Sequence, residues 1–301
     1  MTTTSTTPSA VTRMGAAPAD VRLPEATRVG GVRLQVADLQ RSLAYYRDVL
    51  GLRVIAASAD VARLGAPDVD EPLVTLRAVP GTTPVRKRGA FGLFHFAILL
   101  PDRASLGRFV AHLASLGVPV GMSDHTVSEA IYLTDPDGLG IEVYADRARA
   151  SWRYAEQQVV MTTDPLDVQD LVAAGGAVPW DGLPAGTTMG HVHLHVADLG
   201  EAAAFYHHTL GLDITVWNYP GALFFSAGGY HHHLGTNVWA PGPAPAADQA
   251  RLLEWTLIVP LAADADAIGR RLRLAGRVAA DGQDWTVADP WNTTVRITAA
   301  T

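Results

Sequence analysis

Polar and apolar residues alternate in two short runs, VRLQV at 32–36 and HVHLHV at 191–196. Such alternation marks a strand with one buried face. The segments that follow are copies of one another, VADLQRSLAYYRDVLGLRV at 36–54 and VADLGEAAAFYHHTLGLDI at 196–214, offset by 160 residues. In each, an Asp (Asp38 or Asp198) stands where it can cap a helix. The apolar face then runs through Leu39, Leu43 and Tyr46, or Leu199, Ala203 and Tyr206, and Gly51 or Gly211 ends the helix.

A second pair of similar segments lies deeper in each half. FGLFHFAILLPD (91–102) matches LLEWTLIVPLAAD (252–264), and LTDPDGLGIEVYAD (133–146) matches VADPWNTTVRIT (287–298). DPDG and DPWN read as hairpin turns, with Gly138 or Asn292 accepting positive φ. The chain therefore reads as α+β, four βαβββ modules in two halves. The expected boundaries are a disordered tail at 1–26, a first domain at 27–147, a connecting segment at 148–185 rich in charge, Pro and Gly, and a second domain at 186–301.

Composition narrows the role. Of 301 residues, 48% are apolar and 18% charged, which suits large buried cores and excludes disorder over most of the length. The net charge of −7 is spread out, and no Lys/Arg cluster is interleaved with aromatics, so neither nucleic acid nor an anionic membrane is an expected partner. No apolar run approaches the roughly 18 residues a membrane span needs, and the Thr/Ser-rich start lacks a signal-peptide core. A cytoplasmic protein acting on a small molecule is expected. With no cysteine, imidazole and carboxylate are the available metal ligands. Eight of the eleven histidines fall between His191 and His233.

The VADLxxxxxFYxxxLGL and DPDGxxIEVY patterns, four module signatures in order over residues 27–301, resemble the vicinal oxygen chelate superfamily. That superfamily includes glyoxalase I, fosfomycin-resistance and bleomycin-binding proteins, and the type I extradiol dioxygenases. The resemblance implies two tandem vicinal oxygen chelate domains whose paired modules form open barrels around a metal or ligand. Family metal ligands stand on the first and last strands of modules. Aligning the repeats leaves one complete set, His95, Glu142 and His191, from modules two and three, while Gly31, Glu254 and Arg296 occupy the other positions. Read alone, His95 within LFHFAILL is a core side chain and Glu142 a strand end. Together, two imidazoles and one carboxylate suit non-haem Fe(II), and Mn(II) fits similar ligands.

The segment SDHTVSEAIYLTDPDGLGIE (123–142) resembles the extradiol dioxygenase signature of histidine, tyrosine, turn and metal-binding glutamate. The resemblance makes Tyr132 a substrate-positioning residue and His125 part of the pocket, against an ordinary strand aromatic and a surface histidine. It also places an acid–base histidine on the strand containing YHHHLGTNVW (230–239). Alternation puts His231, His233 and Asn237 on one face and His232, Leu234 and Val238 on the other, so His233 is the first choice and His231 the second. The bland alternative is a polar hairpin. His193 and His195 share the face of His191, and His207 and His208 are expected in solvent.

The reading is an Fe(II)-dependent extradiol dioxygenase resembling two-domain catechol 2,3-dioxygenases, with a catechol-type substrate and O₂ and a homo-oligomeric assembly. Such proteins take all three ligands from the C-terminal half, whereas the set here spans both halves. Modules two and three must therefore pair either within the chain or across a dimer. The alternatives are a glyoxalase-like isomerase or lyase, which would carry a second carboxylate where His233 stands, and a metal-free binding protein.

Overall fold

The computed structural model describes residues 15–19, 21–85, 90–240, 242–276, 278–281 and 284–300. Module one comprises β1 (Arg28–Val36), α1 (Leu39–Ala44), β2 (Arg53–Ala57), β3 (Val61–Gly65) and β4 (Val74–Ala78). Module two comprises β5 (Gly92–Leu100), α2 (Arg103–Leu116), β6 (Gly121–Asp124), β7 (Ser128–Thr134) and β8 (Gly140–Asp146). The connecting segment carries a small hairpin, β9 (Tyr154–Ala155) and β10 (Gln158–Val159), and helix α3 (Val168–Gly175). Module three comprises β11 (Thr188–His195), α4 (Leu199–Ala202), β12 (Asp213–Val216), β13 (Ala222–Ser226) and β14 (Leu234–Asn237). Module four comprises β15 (Arg251–Val259), α5 (Ala262–Leu274), β16 (Val278–Asp281), β17 (Asp284–Ala288) and β18 (Thr294–Ala299).

The strands form two eight-stranded sheets, each built from one module of each half. One has the order β16-β17-β18-β15-β1-β4-β3-β2 and the other β12-β13-β14-β11-β5-β8-β7-β6. Modules two and three therefore pair within the chain, and so do one and four. At both centres the first strands of two modules run antiparallel, β1 against β15 and β11 against β5.

The local signals act as the sequence suggests. Asp38 accepts from Arg41 N at 2.9 Å and Asp198 from Glu201 N at 2.8 Å. Each short α-helix runs on into a π-helical turn, Tyr45–Val49 or Ala203–Thr209, before Gly51 (φ +80°) or Gly211 (φ +100°) stops it. That wider turn delivers a buried tyrosine to the turn aspartate of the next module. Tyr46 Oη donates to Asp135 at 3.1 Å and Tyr206 Oη to Asp289 at 2.7 Å. Asp135 also accepts from the backbone N–H groups of Asp137 (2.9 Å) and Leu139 (2.8 Å), so one carboxylate fixes the hairpin and ties it to the helix. On α2, Leu106, Phe109, Val110 and Leu113 are buried at helical spacing, and the tyrosines, helices and both sheets share one continuous apolar core.

The fold begins earlier than the expected tail allows. Residues 1–14 lie outside the described residues, but Ala16 pairs with Ile214, Leu23 is buried, and Arg22 meets the Asp213 carboxylate at 2.8 Å. A charged residue at either end of that contact obscured a packed segment. His207 also departs from expectation. It is buried, with Nδ1 donating to Leu212 O at 2.7 Å, whereas His208 is exposed. Among the described residues no helix is long and apolar enough to cross a membrane.

Burial holds the Asp135 carboxyl up at about 6, above the roughly 3.9 of an unfolded chain. Between these values the folded protein keeps a proton that the unfolded chain has released. This group's contribution to stability therefore rises as pH falls from about 7 to about 4. Asp135→Asn imitates the protonated form and removes that increment. Its melting temperature relative to wild type should be lower at about pH 5 than at about pH 7. An offset that does not change with pH would refute the assignment.

Candidate metal centre

Three neighbouring strands carry His191, His95 and Glu142. In the β11–β5 register His193 faces His95 and His191 faces Ala97, and in the β5–β8 register Ala97 faces Glu142. Directly opposed residues share a face of the sheet. The short side chain of Ala97 therefore lies between two long ones that lean over it, with His95 on the same face two residues away. The donor atoms of the three residues all lie within 4.8 Å of one another. Glu142 Oε2 is 2.9 Å from His95 Nε2 and 3.1 Å from His191 Nε2.

The electrostatics fit a cation. All three side chains are buried. Burial works to raise the Glu142 carboxyl, yet the two imidazoles hold it well below the usual carboxylate range. Burial also pushes His191 down to about 4, so at neutral pH the pair is a carboxylate beside a neutral imidazole. His95 Nε2, despite its closeness to Glu142, is a buried nitrogen with no hydrogen-bond partner. A buried carboxylate costs several kcal/mol unless a positive charge joins it. Deprotonated carboxylate and neutral imidazole are the states in which these groups bind a metal. The ring of His191 is held by packing, 4.0 Å from His232 and 5.0 Å from Tyr144 between ring centres. Its strand can approach Tyr144 only because residue 190 is glycine, since a Cβ there would fall 1.8 Å from the tyrosine oxygen.

Tyr132 and His125 come together. His125 Nδ1 donates to the carbonyl of Thr162 at 2.6 Å, which leaves Nε2 as the acceptor for Tyr132 Oη, also 2.6 Å away. The tyrosine oxygen thus keeps its lone pairs for the cavity. Thr162 belongs to the segment expected only to connect the halves.

The histidine triplet differs from the alternation pattern. β14 starts at Leu234, after glycines with positive φ at 228 and 229, so strand periodicity does not extend through the triplet. His233 and His231 are absent from the cavity lining and His232 is present. His233 Nδ1 accepts from Ala227 N at 3.1 Å, and burial pushes this ring down to about 3. His231 Nε2 donates to Asp146 at 2.9 Å, and its Nδ1 then accepts from His232 Nδ1 at 2.7 Å. That sequence of bonds leaves His232 Nε2 with a free lone pair.

Asn237 orders two more rings. Its Oδ1 accepts from the backbone N–H of Trp239 at 3.1 Å, which fixes the amide orientation. His195 Nδ1 donates to the same oxygen at 2.7 Å, and Nδ2 donates to His193 Nε2 at 2.9 Å. His193 therefore carries its proton on Nδ1. His95 and Glu142 open into a cavity of about 240 Å³ lined also by Tyr132, His125, His193 and His232 together with aromatic residues. Glu142 is the only carboxylate of that lining.

The equivalent place in the other sheet holds no such set. A Cβ on Gly31 would lie 2.2 Å from the carbonyl oxygen of Pro72, so no side chain fits where His191 stands in the repeat. Arg296, opposite Thr256, bonds Glu254 through Nε at 2.8 Å and Asp284 through Nη1 at 3.0 Å. A guanidinium built into the chain takes the place of a bound cation.

The model of the Glyoxalase/Bleomycin resistance protein/Dioxygenase superfamily matches residues 28–143 and 188–290. The chain is 45% identical over 257 residues to a catechol-2,3-dioxygenase of Bacillus subtilis (strain 168), covering 84% of this chain and 90% of that protein. Among solved structures, a putative dioxygenase from B. subtilis aligns with TM-score 0.65 at 16% identity, covering 92% of this chain and 86% of the other. Glyoxalase I from Zea mays aligns with TM-score 0.54 at 18% identity, covering 90% and 92%. These structural likenesses concern the fold, while the sequence matches establish descent: the chain belongs to the Glyoxalase/Bleomycin resistance protein/Dioxygenase superfamily.

Proposed function

We propose that the protein is an extradiol ring-cleaving dioxygenase acting in the cytoplasm on a catechol with O₂, and that His95, Glu142 and His191 hold Fe(II). The observation that carries this reading is the buried triad at the base of an aromatic cavity, in a chain 45% identical to a catechol-2,3-dioxygenase. When bound, Fe(II) would supply open coordination positions for both catechol oxygens and for O₂, and a path for electrons between them. Overall, the carbon–carbon bond beside the diol breaks and both atoms of O₂ enter the product. The ring supplies the electrons, so no external reductant is required.

The chain's own groups serve this chemistry as positioned acids and bases. Tyr132, whose hydroxyl hydrogen is committed to His125, presents an oxygen that accepts a hydrogen bond from a substrate hydroxyl. His232 Nε2 is the lone pair that takes a proton within the cavity, and Asp146, at the far end of the bond through His231, offsets the charge this creates. The reading thus moves the acid–base role from His233 to His232. Phe94, Phe224 and Trp239 give the cavity an apolar wall. A glyoxalase reading would want a second carboxylate in the cavity, and Glu142 is its only one.

Anaerobic reconstitution with Fe(II), followed by a panel of catechols and O₂, is expected to give the yellow ring-opened semialdehyde. Stoichiometric iron without product from any of them would eliminate the reaction. Replacing His95, Glu142 or His191 by alanine should weaken metal retention by more than the roughly 10–100-fold that loss of an outer partner costs, measured by metal analysis after dialysis. Ala97→Leu, which keeps all three ligands but fills the space between them, should lose metal as well. Retention by that variant would mean the ion sits elsewhere. His232→Ala is expected to lower kcat by about 10²–10⁴, whereas His233→Ala should lower the melting temperature and leave the larger part of kcat. The opposite pattern would return the role to His233.

A further inference from the structure

The cavity beside His95 and Glu142 is larger than an unsubstituted catechol ring, and large apolar side chains stand together on part of its lining. Met161, Phe224 and Trp239 belong to it, and among the described residues the lining holds no lysine or arginine. Trp239 is 45% exposed and Phe94 36% exposed, with ring centres 5.8 Å apart in an edge-to-face arrangement. Exposed large apolar side chains gathered at one place mark a surface that meets an apolar ligand. They are held there. Trp239 Nε1 donates to Pro220 O at 2.9 Å, and its ring is 6.2 Å from that of Tyr219.

The facing wall comes from the segment between the two halves. It is anchored at one end by Gln158, whose Oε1 accepts from Trp217 N at 2.6 Å and Asn218 N at 2.9 Å. At the other end Asp124 and Asp164 exchange backbone hydrogen bonds of 2.9 Å. Between these anchors Met161 faces the cavity, and Thr163 Oγ1 and Tyr219 Oη share a hydrogen bond of 2.6 Å. The wall is therefore anchored at both ends and turns the apolar side chain of Met161 to the cavity.

Taking the catechol reading above as given, we propose that the substrate carries an uncharged apolar substituent, alkyl or aryl, enclosed by Met161, Phe224 and Trp239. A carboxylate in that position would lose its water and find no cation. The adjoining cleft, of about 760 Å³, shares His95 and Tyr132 and is lined by Arg251. Among the described residues, a charged substituent meets a cation by turning the ring toward Arg251.

The test compares catechol, an ethyl-substituted catechol and a catechol bearing an acetate side chain with the iron-loaded enzyme. Anaerobic tryptophan-fluorescence titrations give affinities for the same three compounds. The ethyl compound should exceed the acetate compound in both kcat/KM and affinity by about tenfold or more. Thr163→Arg, at an exposed position of the wall, should narrow that ratio, and Trp239→Ala should weaken binding of the ethyl compound. Melting temperatures confirm that both variants fold. Equal or better use of the acetate compound would overturn the proposal, and loss of that preference in Arg251→Gln would place the substituent in the adjoining cleft. A failure to turn over any of the three would count against the catechol reading, and the order of affinities would still decide the substituent.

Discussion

The antiparallel seam between β5 and β11 governs what the rest of the structure can do. It joins residues nearly a hundred positions apart, and its register sets Ala97 between His191 and Glu142. A slip of one residue would turn His95, His191 and His193 to the opposite face of the sheet. Register is held by the apolar residues on that opposite face, Phe96, Ile98, Val192 and Leu194, all fully buried in the common core. The polar site is therefore positioned by the hydrophobic side of the same two strands, and the stability of the core and the geometry of the ligands are one constraint.

The second sheet shows what happens when that constraint is kept but the site is not. β1 and β15 make the same kind of seam, with Val32 opposite Trp255 and Arg33 opposite Glu254. The core face is preserved. On the other face the chain has closed over Gly31 and inserted Arg296, which meets Glu254 and Asp284. A glutamate buried or half-buried on the sheet calls for a positive partner in either case. A guanidinium covalently held in the chain stabilises the sheet permanently but leaves no open position for a ligand. One sheet thus meets its glutamate with a guanidinium of its own chain, while the other sets two imidazoles beside its glutamate.

Much of this was legible from residues because it rests on local rules. The repeat, the aspartate caps, the positive-φ glycines and the DP turns each act within a few residues, and they lead directly to four modules. The three clustered donors were also visible, since each repeat copy serves as a control for the other. Three things were not. Periodicity cannot see that the chain leaves strand geometry before Leu234, so alternation points to His233 whereas His232 lines the cavity. Composition marked residues 148–185 as a connection, yet Met161 and Thr162 furnish the cavity wall and the partner of His125. The contacts of Leu23 and Arg22 join the start of the chain to its far half, a relation no local pattern records.

The concentration of histidine between residues 191 and 233 raises a problem of charge that the hydrogen bonds solve. Several imidazoles buried side by side can coexist only if they stay neutral, since neighbouring imidazolium ions in a low dielectric repel strongly. Burial lowers His191, His193, His195, His232 and His233 alike. Neutrality leaves each ring one donor and one acceptor nitrogen, and a wrong choice of tautomer would set lone pair against lone pair. The choices are made by groups that cannot change sides: the backbone N–H of Trp239 through Asn237, the carboxylate of Asp146 through His231, the backbone N–H of Ala227 at His233. What remains is a group of rings around one carboxylate, with Nε2 of His95 and of His191 beside it and the Nε2 lone pair of His232 left free. Such a pocket has a net negative charge and nitrogen donors facing a common space. A divalent cation completes it electrostatically, and a proton released in the cavity has a defined place to go.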